Sequence, residues 1–122
     1  MLGRASQPLR RLAFWVPFMI CTWLALGPGL PEAVPKISDK TQHLFAFIYL
    51  GFALRLAHTG LTAILAAAAL LVYGGAIELV QGQLPNRDAQ WRDFAVDGFG
   101  IAIAMGLFHR FGHATLRMLD GD

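Results

Sequence analysis

Residues 61–81, LTAILAAAALLVYGGAIELVQ, decide the fold of this chain. The stretch is almost unbroken Ala, Leu, Ile and Val, and it closes on a carboxylate, Glu78, and an amide, Gln81. Because a helix needs about 20 apolar residues to cross ~30 Å of hydrocarbon, the stretch predicts a transmembrane helix. An acid inside a membrane costs about 2.5–3.5 kcal/mol at the bilayer centre and less near the interface. Glu78 therefore predicts polar partners from elsewhere in the chain.

The composition agrees with one small membrane domain over residues 1–122. The chain is 56% hydrophobic and 15% charged, and soluble domains average about 25% charged residues. A net charge of +2 is too small to indicate a nucleic-acid partner. The single cysteine, Cys21, excludes a disulfide within the chain.

Three further apolar runs accompany the first stretch, so we predict an all-α membrane protein with four transmembrane helices. The expected helices cover about 10–27, 39–57, 61–81 and 93–112, followed by a short basic tail. The first run also has the shape of a signal peptide, with a basic flank, an apolar core and then small residues. A retained helix is favoured because Trp15, Pro17 and Trp23 are poor signal-peptide residues and the two tryptophans suit interfacial depth.

The basic residues orient the helices through the positive-inside rule. With the N-terminus in the cytoplasm, the inner side would hold Arg4, Arg10, Arg11, Arg55, Arg110 and Arg117, and the outer side Lys36, Lys40, Arg87 and Arg92. This bias predicts that both termini are cytoplasmic in a multi-pass protein of the cell membrane.

That topology brings polar residues to one level at the outer end of the bundle. Asp39 and His43 are four residues apart and share a helix face, as do Asp93 and Asp97, and Glu78 and Gln81 nearly do. Polar groups at membrane depth are expected to face each other and pair. We therefore predict one cluster that contains Asp39, Lys40, His43, Glu78, Gln81, Arg87, Asp93 and Asp97.

The same residues form a pattern, Asp39-Lys40-x-x-His43 followed by Glu78-x-x-Gln81-x-x-x-Pro85-x-Arg87-x-x-x-x-x-Asp93-x-x-x-Asp97-x-x-Gly100. This pattern resembles the VanZ-like family of small membrane proteins over residues 39–106. The chain differs at Asp97, where the family more often has Asn. The resemblance implies a role in the cell envelope, since the family is named for a protein that gives low-level resistance to the glycopeptide teicoplanin. It implies no particular reaction.

Each polar residue has a functional and a structural interpretation. His43, Glu78 and Asp93 are the candidate catalytic residues, because an imidazole beside carboxylates can move protons. Arg87 and Lys40 could clamp an anionic headgroup, with Asp39, Gln81 and Asp97 completing the binding set. Alternatively, the cations only neutralise the carboxylates, and Gln81 only hydrogen-bonds across helices.

We predict no cofactor. Oxygen and imidazole ligands from His43, Glu78, Asp93 and Asp97 would suit zinc or manganese, but a metal site is disfavoured, because no H-x-x-x-H or E-x-x-H pattern occurs. No serine lies in a nucleophile elbow. The leading hypothesis is a site that binds or processes an envelope lipid or a lipid-linked precursor. A structural ion-pair network that supports partner binding is the alternative, and a proton-coupled carrier comes last, because the inner halves of the helices lack polar residues.

Overall fold

A computed structural model of the chain describes residues 6–27, 39–83 and 91–120, excluding the side chains of Asp39, Lys40 and Trp91. The described residues form four α-helices: α1 (Gln7–Leu26), α2 (Asp39–Ala57), α3 (Ala63–Gln81) and α4 (Trp91–Asp120). The all-α prediction is therefore confirmed for the described residues. At ~1.5 Å per residue, α4 is about 45 Å long and extends through the predicted basic tail.

Three of the four helices are long and apolar enough to cross a membrane: α1, α3 and the Arg92–Asp120 part of α4. They suggest a membrane protein. Three of the four predicted spans therefore have the length and composition to cross a membrane, whereas the composition of α2 places it outside this set. The reason lies in its sequence, because Asp39, Lys40, Gln42 and His43 occupy its first turns and Arg55 its last.

Local chemistry explains where the helices begin and end. Pro8 stands in the first turn of α1, where a missing backbone N–H does no harm. The N–H of Gly27 bonds to the carbonyl of Trp23 at 2.7 Å and closes the same helix. Thr62 caps α3, because its hydroxyl accepts the N–H of Leu65 at 3.2 Å.

The helices alternate in direction. At one end of the bundle, which we name the Ser6 end, α1 and α3 begin and α2 and α4 end. At the opposite end, which we name the His43 end, α2 and α4 begin and α1 and α3 end. α2 and α3 each pack against the other three helices, and α1 and α4 lie on either side of them. The buried core includes Leu50, Ala57, Ala66, Leu70, Ile101 and Ala104.

Glycine lets α2 and α4 approach closely near the His43 end. A Cβ on Gly100 would lie 2.9 Å from the carbonyl oxygen of Leu44, and one on Gly51 would lie 2.5 Å from the Cβ of Ala104. Small residues at such contacts are the usual packing device of membrane helices. Gly100 and Ala104 of α4 both serve as such small contacts against α2.

A buried arginine organises the Ser6 end. Arg10 is only 3% exposed, and its guanidinium donates to the hydroxyl of Ser6 at 2.9 Å and to the carbonyl of Leu56. The backbone N–H of Ser6 in turn donates to Oδ1 of Asp120 at 2.9 Å, and its hydroxyl does so at 2.5 Å. The two ends of the described chain are therefore joined through Ser6.

Large apolar side chains cover much of the outer surface. Ile64 and Met118 are each 81% exposed, and Trp23, Phe45 and Phe99 are also exposed. Monomeric soluble proteins rarely expose contiguous apolar patches of more than a few hundred Å². The exposed surface is therefore consistent with a lipid bilayer around the bundle.

Candidate functional site

Three helices contribute polar side chains to the His43 end. His43 lies in the second turn of α2, Glu78 and Gln81 lie in the last turn of α3, and Asp93 and Asp97 lie in the first two turns of α4. Asp93 is well placed for its charge, because the positive end of a helix dipole favours an acid in the first turn. The alternating helix directions bring these turns to one end.

The best-defined contact in this set joins α2 to α4. Nδ1 of His43 lies 2.8 Å from Oδ1 of Asp97, and the Asp97 side chain is only 1% exposed. The His43 ring also stacks on Phe47 one turn later, with an angle of 10° between the rings. His43 is thus held from two sides, and its second ring nitrogen, Nε2, remains for other chemistry.

A second group of ligand atoms surrounds the pair. His43, Glu78 and Asp93 each offer one ligand atom, and the three atoms lie within 4.8 Å of one another. Glu78 and Asp93 are buried, at 8% and 6% exposed. Together with Asp97 they form what we call the acidic cluster: His43, Glu78, Asp93 and Asp97. Sequence spacing predicted that these residues would share one end of the bundle.

Two carboxylate oxygens of the acidic cluster have no hydrogen-bond partner among the described residues. They are Oδ1 of Asp93 and Oδ2 of Asp97, and both are inaccessible to solvent. A buried polar group without a partner costs about 1–3 kcal/mol, and a charged one costs more. Buried polar groups in proteins are usually paired, so these two oxygens are open to a partner beyond the described residues.

Gly74 makes the room that Asp97 occupies. A Cβ at this position would lie 2.8 Å from Oδ2 of Asp97 and 3.3 Å from the Phe47 ring. The close neighbour of Gly74 is therefore a carboxylate, which no feature of the sequence marks.

Gln81 makes a hydrogen bond across helices, which is one of its two predicted alternatives. Its amide Nε2 donates to the carbonyl oxygen of Ala25 at 3.0 Å, and so ties the end of α3 to the end of α1. Nearer the middle of the same two helices, the hydroxyls of Thr22 and Tyr73 are 2.5 Å apart. These bonds fix α1 against α3 beside the acidic cluster.

The remaining predicted site residues lie outside what the structure describes. Asp39 and Lys40 begin α2 at the correct end, but their side chains are outside the described set, and so is the whole of Arg87. Their roles stay predictions. Arg10 is a residue whose burial the sequence did not reveal. Its sequence context is that of a basic flank, and the one signal for its buried contact is the serine four residues earlier.

An open, mostly apolar groove lies between α2 and α4 at the same end of the bundle. It has a volume of about 330 Å³ and is lined by Thr41, Leu44, Ala95, Val96 and Phe99. Thr41 and Leu44 flank His43 in sequence, and Ala95 and Val96 lie between Asp93 and Asp97, so helix geometry places the groove on a different face of α2 and α4 from the cluster. The His43 end therefore carries buried acids and, on another face, an apolar groove.

Comparison of the chain with protein-family models, curated proteins and solved structures finds no match. The resemblance to the VanZ-like family consequently stays a prediction.

Proposed function

We propose that this chain is a four-span protein of the cell membrane that binds a lipid headgroup at its His43 end. The observation that carries the proposal is the acidic cluster, with two buried carboxylate oxygens that have no partner among the described residues, at the same end of the bundle as an apolar groove. A lipid suits both surfaces, because its headgroup supplies polar partners while its acyl chain covers the groove. An envelope lipid or a lipid-linked precursor is the class of ligand.

The fourth span follows from the helix directions. α1 and α3 both run from the Ser6 end to the His43 end, so a chain in which both cross the membrane must return between them. α2 makes that return, and it packs against all three neighbours. Its polar residues do not prevent this, because His43 is paired with Asp97 and Arg55 lies over the ring of Phe108 at 4.3 Å.

The distribution of arginine supports an outward-facing site. Most described basic residues lie toward the Ser6 end, namely Arg10, Arg11, Arg55, Arg110 and Arg117, whereas Lys40 and Arg92 lie at the His43 end. By the positive-inside rule the Ser6 end is cytoplasmic. The acidic cluster then opens to the outer leaflet, and both ends of the chain lie inside.

The proposal also includes a catalytic role for the acidic cluster. His43 is oriented by Asp97, and as long as no cation binds Nε2 this nitrogen can accept a proton from a hydroxyl or water of a bound headgroup. Asp93 is close enough to share in that transfer. An envelope function and a contribution to glycopeptide tolerance are the roles that the VanZ-like resemblance implies.

The substitution Asp93→Asn separates a binding site from a structural network. We expect the variant to lose a lipid class that is enriched in the wild-type protein relative to bulk membrane, because the amide keeps the shape but not the charge. Its stability should be equal or up to about 2 kcal/mol higher, because a buried carboxylate without a partner opposes folding. Mass spectrometry of co-purified lipids and unfolding in mixed micelles measure the two effects.

His109→Gln is the matched control, since His109 is exposed on α4 away from the acidic cluster. It should retain the wild-type lipids. The headgroup proposal fails if wild type, Asp93→Asn and His109→Gln carry the same lipids. If Asp93→Asn instead loses about 2 kcal/mol or more of stability, the structural network is the better account.

A further inference from the structure

The acidic cluster offers a donor set that differs from an ordinary patch of surface acids. It combines an imidazole nitrogen with carboxylate oxygens from two other helices, and these three atoms lie within 4.8 Å of one another. Imidazole suits zinc and other late transition metals, and carboxylates suit manganese and magnesium. A mixed set of this kind fits a divalent transition-metal cation.

His43 is prepared for metal binding by its partner. A ligating histidine almost always donates its other ring N–H to a carboxylate or carbonyl, which fixes the tautomer and orients the ring. In the tautomer whose Nδ1–H donates to Asp97 across 2.8 Å, the lone pair of the His43 ring stands on Nε2. A metal ion bound to Nε2 would complete the carboxylate–histidine–metal triad that is common at metal sites in proteins.

Asp93 supplies an independent indication of a ligand. Its side chain is 6% exposed, belongs to the group of three ligand atoms, and has an oxygen that is buried without a hydrogen-bond partner among the described residues. A cation satisfies such an oxygen directly. The same role would otherwise need an N–H or O–H donor, which the described part of the chain does not present to this atom.

We propose that His43, Glu78 and Asp93 bind a divalent cation of the manganese or zinc type, with Asp97 positioning His43. Ligands at about 2.0–2.2 Å around a tetrahedral ion stand about 3.4 Å apart, so the three atoms close by roughly 1.4 Å or less on binding. Rotation of the side chains covers this distance. Three protein ligands leave a coordination position open, and its occupation by a headgroup oxygen is the one part that rests on the proposed function.

Titration of Mn²⁺ into the full chain tests the site without any lipid ligand. The protein is purified in detergent and stripped with a chelator, and free Mn²⁺ is followed by its electron paramagnetic resonance signal. We expect one Mn²⁺ per chain in the wild type, displaced by Zn²⁺ because zinc binds nitrogen and oxygen sites more tightly. Asp93→Asn and Glu78→Gln should lose saturable binding, and Asp97→Asn should weaken it about 10- to 100-fold.

The exposed histidine again provides the control, and His109→Gln should bind like the wild type. Asp93→Asn keeps the inference testable if another variant fails to fold, because it removes an unpartnered charge; gel filtration and circular dichroism confirm its fold. The inference is overturned if the folded wild type binds neither ion saturably, or if Asp93→Asn binds one Mn²⁺ as tightly as the wild type. Either result would reject the cation site without changing the outcome of the lipid experiment. The cation proposal and the lipid proposal can therefore be rejected independently.

Discussion

Replacing His43 by Leu is expected to lower the free energy of unfolding by about 3 kcal/mol. The cause is Asp97, whose carboxylate is 1% exposed and takes its described hydrogen bond from His43. Removing one partner of a buried ion pair costs about 3–5 kcal/mol, because the other charge remains in a medium of low dielectric constant. The lower end of that range applies because His43 keeps 18% exposure.

A double-mutant cycle checks this cause. Asp97→Ala in the His43→Leu background should recover most of the loss, because the uncompensated carboxylate is then gone. His109→Leu, on the exposed side of α4, is the control and should change stability by less than about 0.5 kcal/mol. Losses that simply add in the double variant would show that His43 and Asp97 do not interact energetically.

Replacing Arg10 by Met should destabilise the opposite end of the bundle by about 2–4 kcal/mol. Methionine preserves much of the side-chain volume but removes the donors to Ser6 and Leu56. Hydrogen bonds that involve a charged group contribute about 1.5–3 kcal/mol each, and burial makes their loss more expensive. Unfolding in mixed detergent micelles measures the difference.

The neighbouring arginine gives an unusually close control for this prediction. Arg11 is exposed, whereas Arg10 is 3% exposed. Arg11→Met removes the same charge from the same turn, and we expect it to stay within about 0.5 kcal/mol of the wild type. Equal losses in the two variants would mean that the effect comes from net charge and not from the buried contact.

The acidic cluster could be predicted because it depends on short-range features of the sequence. The four-residue spacing of Asp93 and Asp97 places both on one face of any helix, and Glu78 at the end of a long apolar run demands compensation. Alternating helices then bring the relevant turns to one end. Helix geometry and the thickness of a bilayer are sufficient for this prediction. The predicted helix limits at 39–57 also agree with α2.

The contacts that the sequence could not predict depend on distant parts of the chain. Arg10 has the pattern of a basic flank, and its burial follows only when Asp120 returns to Ser6, 114 residues away in sequence. The role of Gly74 likewise depends on the exact position of Asp97 across the α3–α4 contact. Periodicity defines a helix face, but it does not specify which atom of a neighbouring helix lies against it.

We propose that the acidic cluster stands at the outer boundary of a four-span bundle, and cysteine labelling tests this placement. Cys21 is the only cysteine, so Cys21→Ala provides a clean background. Gln83→Cys lies at the His43 end and Thr59→Cys at the Ser6 end, and both positions are exposed.

A maleimide that cannot cross membranes is added to intact cells. We predict modification of the cysteine at position 83 before lysis and of the cysteine at position 59 only after lysis. Labelling of position 59 alone in intact cells would reverse the bundle, and labelling of both would show that α3 does not cross the membrane; either result contradicts the account.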